Sequence, residues 1–165
     1  MRYLLCLLAL AATLPACAQK NTLHKIKKPN TTQVAGPTTS EPVLVFQRTP
    51  CYGRCPAYTA TIFADGRVEY DGQRFVDLLG KHTLTLPVAT VNQMLAEARR
   101  IHFTELQDNY KGDITDLPAT LVTVHPVGQP LKLVYAAEGI PKNLQTYINY
   151  LSARLDPLTR NKMSE

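Results

Sequence analysis

Alternating apolar and polar positions predict β-strands in the first half of the chain that follows the leader. Apolar residues recur at every second position, and Pro, Gly and Asp interrupt the pattern between segments. The predicted strands are Val43–Arg48, Tyr58–Phe63, Arg67–Asp71 and Lys81–Leu86. Gln73–Val76 is a less regular strand candidate, separated from the last of these by Asp77–Gly80.

The turn Asp65-Gly66 sets the register of the hairpin on either side of it. A two-residue turn would pair apolar with polar positions. A three-residue loop, Ala64–Gly66, separates them, because it pairs Ile62 with Val68, Ala60 with Tyr70 and Thr61 with Glu69. The pattern therefore predicts a G1 bulge with Gly66 in the left-handed conformation.

Helical spacing appears twice in the second half of the chain. Apolar residues recur every three or four positions from Val88 to Ile101 and from Leu144 to Leu155. Pro141 suits the first turn of the second helix, and Pro157 predicts its end. Between the helices, His102–Pro118 is polar and turn-rich, and Ala119–Val124 and Leu131–Tyr135 form a predicted hairpin. The order ββββ-α-ββ-α predicts an α+β fold, an antiparallel β-sheet with two helices packed on one face.

The first seventeen residues have the features of an export signal. Arg2 precedes an apolar run, Tyr3–Leu14, that is too short to cross a bilayer as a helix. Two processing sites fit. Leu14–Cys17 resembles a lipobox, which would make Cys17 the lipidated N-terminus and anchor the protein to an envelope membrane. Ala16-Cys17-Ala18 also fits ordinary cleavage before Gln19, which would release a periplasmic or secreted protein.

Residues 18–42 predict a flexible basic tether, and residues 43–157 one α+β domain, followed by a tail at 158–165. The tether is rich in Lys, Asn, Thr and Pro and has almost no large apolar residues. Its four lysines and Glu41 give the tether a net charge of +3, out of +5 for the whole chain. The folded domain is therefore almost neutral, so no nucleic-acid partner is expected.

Cys51 and Cys55 are the chemically most informative pair. In an exported protein, cysteines four positions apart on a Gly-containing loop favour a disulfide. One alternative is copper or zinc bound by Cys51, Cys55 and a histidine such as His82, since Cys-x-x-x-Cys-Pro resembles the copper site of Sco-type assembly proteins. A redox-active thiol pair is the other alternative.

No recognisable catalytic constellation is present. Nucleophile elbows, phosphate-binding glycine loops and zinc-protease motifs are absent from the sequence, and no cofactor is implied. The candidate ligand-binding residues lie on predicted loops: Tyr52, Arg54, Asp113 and Asp116. The expected function is a non-enzymatic binding or structural module of the cell envelope, with another envelope protein or a small ligand as its partner.

Several short motifs resemble an uncharacterised bacterial family, family 6438 of the domains of unknown function. The resemblance begins at Arg48–Thr59 and continues through Asp65-Gly66, Arg74-Phe75, Gly80–His82 and Thr115–Pro118. It covers roughly residues 43–155. The resemblance implies an exported or lipid-anchored envelope protein, and it supplies no catalytic residues.

Overall fold

One seven-stranded sheet forms the centre of the domain. The computed structural model describes residues 41–113, 117–126 and 128–160. The strands are β1 (Pro42–Arg48), β2 (Ala57–Phe63), β3 (Arg67–Arg74), β4 (Gly80–Thr85), β5 (Asn109–Tyr110), β6 (Thr120–Val124) and β7 (Lys132–Ala136). Their spatial order is β4-β3-β2-β1-β6-β7-β5. β1 is therefore the central strand. It belongs to the four-strand meander β1–β4, and its other edge pairs with β6 of the β6–β7 hairpin.

Two helices cover one face of this sheet, α1 (Val88–Arg100) and α2 (Lys142–Arg160). Cross-strand neighbours Leu44, Ile62 and Val68 belong to the same buried cluster as residues of both helices. Where the helices meet, the Tyr147 hydroxyl donates a hydrogen bond of 3.1 Å to the Met94 carbonyl oxygen. The predicted α+β class and the two helices are confirmed.

The β2–β3 hairpin has the predicted register. Ile62 pairs with Val68, Ala60 with Tyr70, and Thr61 with Glu69. Gly66 has φ +92°, and its N–H donates to the Phe63 carbonyl oxygen at 3.1 Å. The requirement that apolar residues pair with apolar residues, and polar with polar, was thus sufficient to predict the register of this hairpin.

The segment predicted as polar turns, His102–Pro118, contains regular structure. Phe103–Glu105 forms a 3-10 helix, and β5 pairs parallel with β7, so the sheet is mixed and not wholly antiparallel. The strand is only two residues long and carries no alternation. Its pairing depends on β7, which is distant in sequence, so no local pattern signals it.

Two further boundaries differ from the prediction. The candidate strand Gln73–Val76 is split, because β3 continues to Arg74 and Phe75 turns the chain with φ +53°. Pro157 does not end α2, which continues to Arg160. Pro157 lies in the last turn, so the hydrogen bond lost with its N–H interrupts only the end of the helix.

Among residues 41–113, 117–126 and 128–160, no helix is long and apolar enough to span a membrane. The predicted export signal, Cys17 and most of the tether lie outside the described residues.

Candidate functional site

A disulfide closes the β1–β2 loop, Thr49–Pro56. Cys51 and Cys55 are bonded to each other with their Cα atoms 5.7 Å apart. Within the loop, the Gly53 N–H donates to Cys51 Sγ at 3.2 Å. Tyr52 is 98% exposed at its tip. The closed loop therefore holds a large aromatic side chain almost entirely in solvent.

The start of this loop is fixed to the strand on the other side of β1. The Thr49 N–H donates to the Ala119 carbonyl oxygen at 2.9 Å, and the Ala119 N–H donates to Thr49 Oγ1 at 2.8 Å. These two bonds join segments 70 residues apart. They hold the loop at one end of the sheet, where the chain also enters β6.

The β3–β4 loop, Phe75–Leu79, lies beside the disulfide loop. Phe75 is 44% exposed, and the guanidinium carbons of Arg54 and Arg74 lie 5.8 and 5.2 Å from its ring centroid. These distances suit cation–π attraction. We call Tyr52, Arg54, Arg74 and Phe75 the aromatic–arginine surface. It combines two rings with two positive charges at the end of the sheet.

Gly72 allows the β3–β4 loop to fold back over β3. A Cβ at Gly72 would lie 1.9 Å from the Leu78 carbonyl oxygen and 2.9 Å from Cε1 of Tyr70. No side chain fits at this position without displacing backbone. The close approach keeps the loop over the Tyr70 ring.

A small cavity of about 130 Å³ lies between these two loops and the C-terminal part of α2. It is lined by Arg48, Pro56, Tyr58, Phe75, Val76, Asp77 and Asp156. The Tyr58 hydroxyl donates to Asp156 Oδ1 at 2.8 Å. The cavity therefore combines a cation, two carboxylates and aromatic rings, with a hydrogen bond that ties β2 to α2.

Two buried tyrosines stand next to this cavity with their rings 5.4 Å apart. Burial, reinforced by the negative charge of Asp156, raises the pKa of Tyr58 well above its ordinary value. Burial and the charges of Asp156 and Asp77 raise the pKa of Tyr70 to about 12. Both phenols therefore keep their protons at neutral pH, and the Tyr58 hydroxyl donates its hydrogen bond to Asp156. The Tyr70 hydroxyl is buried without a hydrogen-bond partner among the described residues.

The structure places the predicted site residues in different parts of the domain. Tyr52 and Arg54 share the disulfide loop, whereas Asp113 is exposed on the segment after β5 and Asp116 lies outside the described residues. Nε2 of His82 lies 2.7 Å from the Leu79 carbonyl oxygen. Among the described parts of the chain, no three His, Cys, Asp or Glu side chains are grouped to hold a metal ion. In the described structure His82 is thus not grouped with Cys51 and Cys55, which are bonded to each other.

Sequence reasoning missed the residues around the cavity. Arg48, Tyr58 and Phe75 all lie in motifs that carry the family resemblance, and those motifs were the available signal. Asp156 had no comparable signal, because it lies 98 residues from Tyr58 in a segment that reads only as amphipathic helix.

Two other concavities lie elsewhere on the domain. One of about 450 Å³ lies over β2, β3 and β4, where Thr59, Thr61 and Glu69 contribute polar walls. Another, of about 270 Å³, lies between α1 and the far end of the sheet and includes His102 and His125. Neither includes the disulfide loop or the β3–β4 loop.

Comparison with known proteins places the domain in a family. No curated protein and no solved structure is significantly similar to this chain. A family model described as a domain of unknown function, DUF6438, matches residues 42–155. That range covers β1 and the first fourteen of the nineteen residues of α2, and it includes both loops around the cavity. Since the match extends over more than half of the chain, this protein belongs to the DUF6438 family.

Proposed function

We propose that this chain is an exported envelope protein, anchored through Cys17, whose domain is a non-enzymatic module that binds a protein partner. The aromatic–arginine surface is its contact site. The observation that carries the proposal is Tyr52, 98% exposed on a loop closed by the Cys51–Cys55 disulfide. A fully exposed aromatic ring on a closed loop offers apolar area that a docking partner can bury.

The composition of the surface supports binding. Tyr and Arg are the side chains that contribute most often and most strongly to protein interfaces. Arg54 and Arg74 surround Phe75, so the surface offers apolar area and positive charge together. The disulfide restricts the loop before binding, which lowers the entropy lost when a partner docks.

The disulfide also supports an extracytoplasmic location. Structural disulfides form and persist in oxidising compartments and are rare in the cytosol. This agrees with the export signal predicted for residues 1–17. The lysines of the tether then lie close to the membrane, next to the lipid on Cys17.

Cross-linking in living cells tests the binding function. A photoreactive residue replaces Tyr52, and a matched control replaces Leu133, which is 44% exposed on β7. We expect one discrete cross-linked product from position 52 and none of the same mass from position 133. Phe75→Ala should remove the product. The same products from both positions, or none from position 52, would contradict the contact site.

Metabolic labelling with a fatty acid tests the anchor. The proposal expects label on the wild-type protein, no label on Cys17→Ser, and a mature N-terminus at Cys17. A mature N-terminus at Gln19 would disprove the lipid anchor and leave export intact. Retention of the full leader in the cytoplasm would disprove both.

A further inference from the structure

The outer side of β4 is an open sheet edge. β4 stands last in the order of the sheet, and among the described strands it pairs with β3 alone. The Leu86 N–H donates to the Gly66 carbonyl oxygen, and this bond continues the β3–β4 register. In an antiparallel ladder, successive residues turn their backbone groups alternately toward and away from the neighbouring strand. Lys81, Thr83 and Thr85 therefore point their N–H and C=O groups away from β3, and we call these three residues the outer edge.

The two edges of the sheet differ in how well they could accept another strand. β5, at the opposite edge, is only two residues long. β4 has six residues, contains no proline and pairs with β3 without a register shift. All three outer-edge residues are exposed. Short strands, prolines, bulges and charges are the usual protection of an edge, and Lys81 is the one such feature in β4.

We infer that the outer edge pairs with β4 of a second copy of this chain, antiparallel, about a two-fold axis at Thr83. The two Thr83 residues then face each other, and Lys81 of each copy lies opposite Thr85 of the other. Every outward N–H and C=O group of the outer edge gains a partner in this arrangement. The seven-stranded sheet continues across the interface, with the helices of both copies on the same side.

This register is the one in which the edge is complementary to itself. Lys81 faces Thr85 and not a second lysine, whereas like charges directly opposite each other destabilise a strand pair. Moving the axis by one residue places an outward residue opposite Leu79 or Pro87, and both lie outside β4. Pro87 has no N–H to donate. Either shift therefore leaves part of the outer edge unpaired.

Two exposed apolar residues flank the edge, and the same two-fold axis brings them together. Leu79 precedes β4 and is 62% exposed, and Val88 follows the strand and is 47% exposed. Antiparallel pairing places Leu79 of each copy at the same end as Val88 of the other. Such a self-complementary arrangement is what a two-fold interface requires. A second copy thus supplies matching apolar residues at both ends, which an arbitrary extended segment does not.

Cysteine cross-linking of the full-length protein in the cell envelope tests the register. Thr83→Cys should give a disulfide-linked dimer that a thiol reduces, because pairing at the axis sets the two Cα atoms about 5.5 Å apart. Thr85→Cys is the matched control on the same strand and face. Its two copies would lie about 13 Å apart along the strands, beyond the reach of a disulfide, so it should stay monomeric. Wild-type protein provides the blank, since Cys51 and Cys55 are bonded to each other.

A mixed experiment checks the predicted cross-strand pair. Lys81→Cys and Thr85→Cys should each remain monomeric when expressed alone. Co-expression of the two variants should give a dimer, because position 81 of one copy lies opposite position 85 of the other.

Sedimentation equilibrium of the purified protein measures the dimer without a cross-link. Thr83→Pro removes an outward N–H and no bond between β4 and β3, so the circular dichroism spectrum should not change. The dimer should weaken roughly tenfold or more, since both hydrogen bonds at the axis are lost. Thr83→Val keeps the backbone N–H and is the matched control, which should dimerise like the wild type.

The contrary outcomes are equally definite. Equal dimer yields from Thr83→Cys and Thr85→Cys would indicate random collision and overturn the inference. A wild-type dimer without a cross-link at Thr83 would place the interface elsewhere, and no dimer in either experiment would leave the edge to another partner. If Thr83→Pro does not fold, the cysteine variants decide alone. The inference goes beyond the proposed function and does not depend on it, because a cross-link from position 52 to a different protein would stand whatever happens at β4.

Discussion

At the scale of single residues, backbone conformation at a few positions decides how the loops are built. Gly66 has φ +92°, and its carbonyl oxygen accepts a 2.8 Å hydrogen bond from the Leu86 N–H. Gly80 has φ +81° in open space. Both glycines have a positive φ, but only Gly66 has other atoms close to the position of a Cβ. The two positions therefore form a matched pair.

We predict that Gly66→Ala is more destabilising than Gly80→Ala. A Cβ at Gly66 would lie 2.2 Å from the Leu86 carbonyl oxygen, whereas none of the described atoms lies within 4 Å of a Cβ at Gly80. Left-handed φ alone costs about 1–2 kcal/mol for alanine, and the clash adds roughly as much again at Gly66. Urea unfolding measures both free energies. Equal losses would show that Leu86 moves away at little cost.

Phe75 and His102 are the two non-glycine residues with positive φ in the described structure, at +53° and +55°. Strain of this kind is often retained where function requires a side chain. Phe75 lies in the proposed contact site. His102 lies just after the C-terminal end of α1 and precedes the 3-10 helix.

We predict that Phe75→Gly and His102→Gly separate stability from binding. Each removes left-handed strain of about 1 kcal/mol, which offsets part of the packing energy that the deleted side chain supplied. Neither variant should therefore lose more than about 1 kcal/mol of unfolding free energy. Only Phe75→Gly should abolish the cross-link from position 52. Loss of the cross-link in His102→Gly as well would indicate a general structural effect.

At the scale of elements, two kinds of constraint hold the disulfide loop. The disulfide spans four positions, and the Thr49–Ala119 hydrogen bonds hold the loop from outside. Closing so short a loop removes little entropy from the unfolded chain. Its main effect is on the loop itself, not on the sheet.

We predict that replacing both cysteines, Cys51→Ser with Cys55→Ser, lowers the free energy of unfolding by about 2 kcal/mol or less. The sheet should remain intact by circular dichroism. Cross-linking from position 52 should fall several-fold, because the loop loses its restricted conformation before binding. Undiminished cross-linking would show that the Thr49 hydrogen bonds alone position Tyr52.

At the scale of the whole molecule, buried phenols link stability to pH. Burial raises the pKa of Tyr58, Tyr70 and Tyr147, in the case of Tyr70 to about 12. Between pH 10 and the folded pKa, the unfolded chain loses these protons while the native state keeps them. The native state therefore binds more protons, and stability must fall as pH rises.

We predict that the free energy of unfolding shows no tyrosine-dependent change below about pH 10 and decreases above it. Each of the three phenols contributes up to about 1.4 kcal/mol per pH unit. Tyr70→Phe should reduce the slope between pH 10 and 12 by about that amount. An unchanged slope in this variant would show that Tyr70 ionises as easily in the native state as in the unfolded chain.

Much of the fold could be predicted from the sequence because its signals are local. The register of the β2–β3 hairpin followed from alternation and one Asp-Gly turn, and both helices followed from periodic apolar residues. The family resemblance rested on short motifs within single loops. Proximity in sequence also favoured the Cys51–Cys55 pairing, because a loop of four positions can bring the two Cα atoms within the distance that a disulfide needs. In each case a pattern within a single element or loop carries the physical information.

Only the tertiary structure decided how distant segments meet. The central place of β1 and the parallel pairing of β5 with β7 depend on partners elsewhere in the chain. The cavity is the clearest case, because Arg48, Asp77 and Asp156 come from three separate elements. Residues far apart in sequence meet only when the sheet and helices pack, and that packing minimises the free energy of the whole chain. No local pattern encodes it, so the sequence revealed the elements while packing created the site.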